Sequence, residues 1–294
     1  MTRFLPCFLL FACLVAAASP ASAQEQDTLC RFDATGALIT SGDFTNDYRC
    51  STAPDAYAID IFSVYLCTGT PVAPTLATAA DLSVCTAVLA SASSQRVTVA
   101  AGVNTPLGGT FTRPPVGTYS HAAVLLDNTF RITNATRFDS VMTHAGSSTS
   151  GEWCWTTDGT IDPAGSFPEP ARCGASEPDA ASIGTATEIL RAFGSPGTAR
   201  EFAASGFVAN GVLTAYLIES DDTLPPAGAN TASRLLAVQA FDTPVRVSDE
   251  TAFIDLGLRV SQGMSVNSDP GGVNNATDFQ TFASGPFNAV IGLR

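Results

Sequence analysis

The chain has 294 residues, of which 27 are acidic and 14 are basic, and every basic residue is an arginine. The formal net charge is -13, and the arginines are spread singly along the sequence. Since phosphate binding depends on clustered cations, this balance argues against a nucleic-acid partner or an anionic membrane surface. The length fits one large β domain or two small ones.

The N-terminus predicts export. Arg3 precedes the almost unbroken apolar stretch Phe4–Ala18, and Ala21-Ser22-Ala23 follows as a small-x-small cleavage site. This order predicts a signal peptide over residues 1–23 and a periplasmic or extracellular mature chain. The alternative of a membrane anchor is disfavoured because the apolar run is shorter than the ~20 residues of a spanning helix. No later apolar run reaches that length, so we expect no transmembrane helix in the mature chain. Lipidation at Cys13 is a minor alternative.

The cysteines predict a disulfide framework. Two of the eight leave with the signal peptide, and an even number in an exported chain indicates disulfides. The remaining six are Cys30, Cys50, Cys67, Cys85, Cys154 and Cys173. Fifteen pairings are possible for six cysteines, and we favour the consecutive pairs Cys30–Cys50, Cys67–Cys85 and Cys154–Cys173, whose members are 20, 18 and 19 positions apart. Each bridge would then close one local loop and contribute ~3 kcal/mol. The tight cysteine or histidine pairs of a zinc site are not present in the sequence.

The first half of the mature chain predicts extended structure around one central strand. The predicted strands are Ala56–Thr68, then the weaker Leu82–Ala90 and Arg96–Ala100. We expect the central strand in Pro115–Thr133, as two extended segments that meet at the polar turn Asp127-Asn128-Thr129.

The second half is less regular at first. Arg137–Ser182 holds both tryptophans and little periodicity, and it predicts a disulfide-stapled excursion from the sheet. Ala180–Phe193 is the only plausible helix. Asn210-Gly211 between apolar runs predicts a hairpin over Phe202–Glu219. Later strands are predicted at Leu235–Phe241, Pro244–Val247, Thr251–Val260 and Pro286–Arg294. Many short strands with Gly, Pro and Thr turns are typical of an all-β antiparallel sandwich.

Four segments carry a resemblance: AYAIDIFSVYLCT, VGTYSHAAVLLDNTFRI, TPVRVSDETAFIDLGLRVSQGMSV and the terminal GPFNAVIGLR. In this order they resemble an uncharacterised family of secreted β-sandwich proteins from marine bacteria. More distantly they are similar to bacterial lipoproteins with prealbumin-like domains of unknown function. The resemblance implies an Ig-like or prealbumin-like sandwich, a single domain over residues 24–294 with an inserted loop subdomain at about 137–234. It implies no activity, so no catalytic residue is carried over.

Trp153 and Trp155 form the candidate ligand surface. They flank Cys154 with two-residue spacing, so on an extended segment both project to one face. If they are exposed, the two tryptophans would stack on sugar rings. The alternative interpretation is that they cap a small hydrophobic core. The partner class left open is a protein or a glycan.

Calcium is the one cofactor that the sequence suggests, and only weakly. Asp158 and Asp162, and separately Asp269 and Asp278, offer carboxylate oxygens of the kind that calcium prefers. The full EF-hand pattern is absent, and exposed turn chemistry is the default interpretation. No other metal and no other cofactor is expected.

Few residues in the sequence could form a catalytic site. The two histidines, His121 and His144, have no G-x-S-x-G elbow beside them, and we assign no catalytic residue. We therefore expect a non-catalytic exported β-sandwich with a binding or cell-envelope structural role. A secreted hydrolase with loop-borne catalytic residues is the alternative, and a serine close to either histidine would favour it. An outer-membrane β-barrel is a further alternative, which six cysteines and short strands disfavour.

Overall fold

The computed structural model describes residues 29–41, 49–100, 108–145, 147–161, 169–193, 202–208, 210–251, 254–268 and 278–293. The predicted signal peptide, Asp162 and Asp269 lie outside these ranges. Within them the protein is all-β, with open and mostly antiparallel sheets. No helix in this part of the chain has the length and apolarity needed to cross a membrane.

One sheet has six strands in the order β1-β15-β16-β6-β7-β9. All its neighbouring pairs are antiparallel except β16 and β6. With strands numbered in chain order, their bounds are β1 Arg49–Thr52, β6 Ala135–His144, β7 Ser150–Thr156, β9 Ala171–Gly174, β15 Met264–Ser268 and β16 Asp278–Ser284.

The second sheet has nine strands, seven of them in the order β11-β12-β13-β5-β2-β3-β4. The other two are attached through β10, which pairs with β5 and with β8, and a separate two-stranded ribbon joins β14 and β17. The bounds are β2 Ala56–Cys67, β3 Cys85–Ala100, β4 Thr110–Phe111, β5 Gly117–Thr133, β8 Gly159–Ile161, β10 Ala186–Ile189, β11 Ala203–Val208, β12 Gly211–Ile218, β13 Arg234–Val247, β14 Ile254–Arg259 and β17 Asn288–Leu293.

Strand β5 occupies the centre of the second sheet, as predicted, but the predicted turn inside it is wrong. The strand continues through Asp127–Thr129, and its antiparallel neighbour changes there from β13 to β10. Asn128 is 5% exposed. Its side-chain amide donates to the carbonyls of Leu190 and Ala232 at 2.9 and 2.8 Å. A polar residue of turn-like composition is thus satisfied inside the sheet, because a buried amide needs partners and finds them in residues just outside β10 and β13.

Two predicted breaks are also absent. The Ser-rich stretch between Leu82–Ala90 and Arg96–Ala100 lies within the continuous strand β3. Leu235–Phe241 and Pro244–Val247 belong to one strand, β13, with a register shift between Ala240 and Val245. The ladder register shifts at both places, so the predicted breaks correspond to bulges within continuous strands.

The subdomain expected at about 137–234, which includes the excursion expected over Arg137–Ser182, supplies strands to both sheets. It contains β7 and β9 of the first sheet and β10, β11 and β12 of the second. The predicted helix over Ala180–Phe193 is wrong, because the segment holds one 3-10 turn at Ala180–Ser182 and then strand β10. The predicted hairpin is observed between β11 and β12, but Gly211 belongs to β12 rather than to the turn: it pairs with Val208 and has a φ of 147°.

The three disulfides are present, in the pairing that the spacing favours: Cys30–Cys50, Cys67–Cys85 and Cys154–Cys173. The second and third bridges each join residues directly opposite each other on neighbouring antiparallel strands. Each of these two bridges therefore holds a strand pair in register.

Both sheets contribute to one hydrophobic core. A cluster of three aromatic rings, Tyr57, Phe130 and Phe287, has centroids 6.0 to 6.2 Å apart, and Phe138, Phe279 and Phe282 form a second cluster. These residues belong to a single buried cluster that spans the two sheets. Their burial is the main favourable contribution to stability.

Glu188 joins the two sheets and makes stability depend on pH. Its carboxylate on β10 accepts a hydrogen bond from the Ser284 amide on β16 at 2.6 Å. Burial raises the pKa of Glu188, and the Ser284 hydrogen bonds oppose only part of that rise. Since the folded pKa exceeds the unfolded value near 4.5, Glu188 favours the folded state fully below that value. The stabilisation is lost as pH rises through the folded pKa.

We expect Glu188→Gln to raise the melting temperature at pH 7.5 and to leave it nearly unchanged at pH 4. The amide keeps an acceptor oxygen for Ser284 and stays neutral at both pH values. Thermal melts at the two pH values check this, with the exposed Glu177→Gln as the control. An equal shift at both pH values would contradict the assignment.

Candidate functional site

Trp153 and Trp155 lie on the outer face of the first sheet. Along β7 the side chains of Cys154 and Thr156 are buried, and the two tryptophans between and beside them are partly exposed. Because side chains alternate along a strand, both rings project away from the core. They therefore do not cap the core on the side of the buried disulfide.

The ring of Trp155 lies over the edge strand β9. A Cβ atom built on Gly174 would come within 2.9 Å of Trp155 Cη2. The absence of a side chain at Gly174 thus leaves the space that the indole occupies. Glycine in a strand often marks such a close approach.

Two arginines are the direct cross-strand neighbours of the tryptophans. Arg137 on β6 is opposite Trp153, and Arg172 on β9 is opposite Trp155. Arg137 pairs with Glu152 at 3.1 Å, with about two-fifths of each side chain exposed. Directly opposite residues share one face of a sheet. The two tryptophans and the two arginines therefore form one surface. We call Trp153, Trp155, Arg137 and Arg172 the Trp–Arg face.

The sequence indicated the two tryptophans but not the arginines. Arg137 and Arg172 come from different strands, and only the pairing of β6, β7 and β9 brings them beside the rings. The Cys154–Cys173 bridge lies on the other side of the same strand pair. The predicted bridge places the residues around Cys173 beside those around Cys154, which is the one sequence signal that would have located Arg172.

His121 contacts two hydroxyl groups. Its Nδ1 lies 2.8 Å from Ser120 Oγ, and its Nε2 lies 3.3 Å from Thr70 Oγ1. Neighbouring residues on a regular strand point to opposite faces, so the first contact requires an irregularity. Tyr119 packs with Ala122 in one buried cluster, which shifts the alternation at Ser120 and His121. Burial lowers the pKa of His121, so its imidazole is neutral at pH 7.

His144 is fully buried, with its Nδ1 2.6 Å from Ser147 Oγ and its ring 6.0 Å from that of Phe279. Burial lowers the pKa of His144. The charge of Arg172 adds to this lowering, and the neighbouring Gln280 backbone opposes it. The neutral ring packs inside the first sheet.

Each histidine therefore has a serine beside it, the feature expected to favour a hydrolase. A catalytic triad also needs a group that orients and charges the base. In the part of the chain that the structure describes, neither imidazole contacts a carboxylate: the second nitrogen of His121 faces Thr70. The serine contacts alone do not assemble a nucleophilic centre.

One member of each calcium pair, Asp162 and Asp269, lies outside the described residues. Asp158 accepts a hydrogen bond from the Thr185 amide at 2.8 Å, which is a turn role. Asp278 begins β16 and is paired with Thr143 on β6. No group of three or more His, Cys, Asp or Glu residues that could hold a metal ion occurs among the described residues.

No protein family, curated protein or solved structure matches this chain.

Of the surfaces considered, the Trp–Arg face has the composition most typical of a binding site. Tryptophan and arginine are enriched where binding energy is concentrated, because they combine large apolar area with hydrogen-bond donors. Both rings are held by strand pairing and one disulfide, so little ordering is needed when a partner binds.

Proposed function

We propose that this chain is an exported, non-catalytic β-sandwich protein, Ig-like or prealbumin-like, that binds a glycan at the cell envelope through the Trp–Arg face. The observation that carries the proposal is the position of Trp153 and Trp155 on one outward face, with arginines as their cross-strand neighbours. The signal-like N-terminus and three disulfides support an exported chain.

The chemistry of the face fits a sugar. A pyranose ring has an apolar C–H face that packs flat on an indole, and hydroxyl groups around its rim. The indoles supply the apolar platform, and the guanidinium groups supply fixed hydrogen-bond donors for the hydroxyls. Trp153 and Trp155 are two residues apart, so their Cα atoms are separated by roughly 6.6 Å, which suits two successive sugar units of one chain.

The glycan is a neutral one. The whole chain carries a net charge of -13, so a polyanionic polysaccharide would be repelled at long range. Arg137 is already paired with Glu152, which reduces the local positive charge. The same face would serve a protein partner less well, because it is small and consists of two rings and two charged side chains.

We expect soluble cellohexaose or chitohexaose to change the intrinsic tryptophan fluorescence of the protein. The chain has only two tryptophans, so the signal reports on this face alone. Trp153→Ala and Trp155→Ala are each expected to weaken binding about 30-fold, the effect of removing a ring worth ~2 kcal/mol. Affinities come from isothermal titration for the variants.

Two further variants sharpen this experiment. Gly174→Ala keeps both rings but pushes Trp155 out of its place, so a loss of affinity there shows that ring position matters. Phe111→Ala removes an aromatic side chain that is 63% exposed on β4 of the other sheet, and it should bind as the parent does. If neither oligosaccharide binds, the glycan proposal fails; if Phe111→Ala weakens binding equally, the site is elsewhere.

A further inference from the structure

A loop folds over the outer face of the second sheet and leaves a groove beside it. Residues 68–84 connect β2 to β3, and the Cys67–Cys85 bridge closes the base of this connection. We call residues 68–84 the stapled loop. Its Val72 and Asp81 exchange two backbone hydrogen bonds of 3.0 and 3.1 Å, and its Thr75 carbonyl accepts from the Leu224 amide at 2.9 Å.

The stapled loop has a small core of its own beneath it. Ala80 and Leu82 of the loop pack against Cys67, Ala123 and Leu236 of the sheet. This cluster is separate from the main core between the two sheets. The loop is thus fixed at both ends and in the middle, so the space beside it has a defined shape.

A groove of ≈ 140 Å³ lies between the stapled loop and strands β5, β12 and β13. Its walls include Val212 and Tyr216 of β12 and Leu236 and Val238 of β13. These side chains share one face because Tyr216 is paired with Leu236 and Val212 with Ala240. The groove is about the size of an apolar cavity that holds one benzene molecule.

One end of the groove is polar. Thr70 and His121 line it, and their side chains meet there at 3.3 Å between Oγ1 and Nε2. Ser120 contacts the other ring nitrogen of His121 at 2.8 Å and so fixes the ring plane. A hydroxyl group placed at this end would have a ring nitrogen and a threonine hydroxyl within reach.

The groove carries no charge, although the chain has 27 acidic residues. None of the side chains that line it is a carboxylate or a guanidinium. A charged ligand would lose its hydration there without finding a counter-ion. The lining therefore selects a neutral ligand.

We propose that this groove binds a small neutral aromatic alcohol, with its ring between the apolar walls of β12 and β13 and its hydroxyl group at Thr70 and His121. Three observations converge on this class: the volume admits one ring, the walls are mainly apolar although Thr214 and Tyr216 are among them, and the polar end offers hydrogen-bonding partners for one hydroxyl. The site is on the sheet opposite to the Trp–Arg face and is independent of the glycan proposal.

Phenol is the probe, with benzene and benzoate as matched comparisons of the same ring. Binding is measured by NMR chemical-shift changes of the protein at pH 7. We expect phenol to bind with a Kd on the order of 1 mM, within the limits for a seven-atom ligand. Benzene should bind about fivefold more weakly because it lacks the hydroxyl, and benzoate should not bind measurably.

Two variants locate the site. His121→Leu removes the polar end and should reduce phenol affinity to that of benzene. Val72→Trp, at an exposed position that lines the groove, should abolish binding of both by filling the space. Val141→Trp is the matched control, because Val141 is 55% exposed on β6 of the other sheet, close to the 61% of Val72.

The outcomes separate cleanly. No binding of phenol at 10-fold above the expected Kd overturns the proposal, and so does benzoate binding as tightly as phenol. Phenol binding that survives in Val72→Trp places the ligand elsewhere and also overturns it. Loss of binding in Val72→Trp with retention in Val141→Trp supports it, whatever the result of the oligosaccharide titrations.

Discussion

Replacing Cys154 and Cys173 together by alanine is expected to lower the free energy of unfolding by about 3 kcal/mol and to abolish glycan binding. The stability loss follows from the entropy that the unfolded chain regains when the loop is opened. The binding loss follows from position: β9 is an edge strand whose neighbour in the sheet is β7. Without the bridge, β9 loses the covalent link that holds Arg172 and Gly174 beside the tryptophans.

A second double variant separates the two effects. Cys30→Ala with Cys50→Ala opens a loop of nearly the same length, 20 against 19 positions. It should therefore cost a similar free energy while leaving the Trp–Arg face in place. Urea unfolding gives the stability of each variant, and acrylamide quenching of tryptophan fluorescence gives the exposure of the two rings. Increased quenching in both variants, or in neither, would contradict the role assigned to the Cys154–Cys173 bridge.

The parts of the fold that the sequence predicts are those where local pattern and pairing agree. The first strong strand, Ala56–Thr68, is observed as β2 over Ala56–Cys67. The hairpin predicted at Asn210-Gly211 is observed, with Gly211 at a positive φ as the first residue of β12. The pairings Cys67–Cys85 and Cys154–Cys173 follow from spacing because bridges between adjacent antiparallel strands close short loops.

The parts that escaped prediction depend on partners far away in the sequence. The sequence predicts a turn at Asn128. Its side-chain amide instead donates hydrogen bonds to carbonyls 62 and 104 positions away in the sequence. Strand β6 lies within a stretch of weak periodicity and is defined by pairing with β7 and β16. Strand β9 is short and strand β6 is rich in polar residues. Their formation therefore depends on pairing with neighbouring strands rather than on intrinsic strand propensity.

The candidate sites also combine features that the sequence predicts with features that depend on distant contacts. The spacing of Trp153 and Trp155 predicted that they share a face, since that depends only on strand alternation. The contact between Ser120 and His121 depends on a local break in alternation, and the Thr70 contact depends on how the stapled loop folds back. Neither is encoded in the spacing of these residues.

The other large effect is expected at Asp60, which ties three strands of the second sheet together. Its carboxylate on β2 contacts Arg96 on β3 at 3.1 Å and Arg131 on β5 at 2.8 Å. The Asp60 side chain is 10% exposed, against 22% for Arg131 and 56% for Arg96. The carboxylate is therefore buried and shared between two cations, of which Arg131 is the more enclosed.

Asp60→Asn is expected to lower the free energy of unfolding by about 3 kcal/mol at pH 7. Removing one partner of a buried ion pair costs roughly 3 to 5 kcal/mol, because the remaining charge stays buried without compensation. The lower end applies because Arg96 retains access to water. Asp222→Asn is the control: it breaks the exposed pair with Arg234, whose side chains are 42% and 29% exposed, and should cost below about 1 kcal/mol.

The pH dependence of the stability difference between the parent protein and Asp60→Asn gives an independent test. Burial raises the pKa of Asp60, but the hydrogen bonds and charges of Arg96 and Arg131 outweigh it, so the net pKa is below the model-compound value of 3.8. A depressed folded pKa means that the ion pairs stabilise the protein above about pH 4 and that this contribution is lost as pH falls through the folded pKa. The parent should therefore lose stability in acid while Asp60→Asn loses less, so that their melting temperatures converge. A difference that stayed constant from pH 7 down to pH 3 would show that the cost of the variant comes from packing rather than from charge.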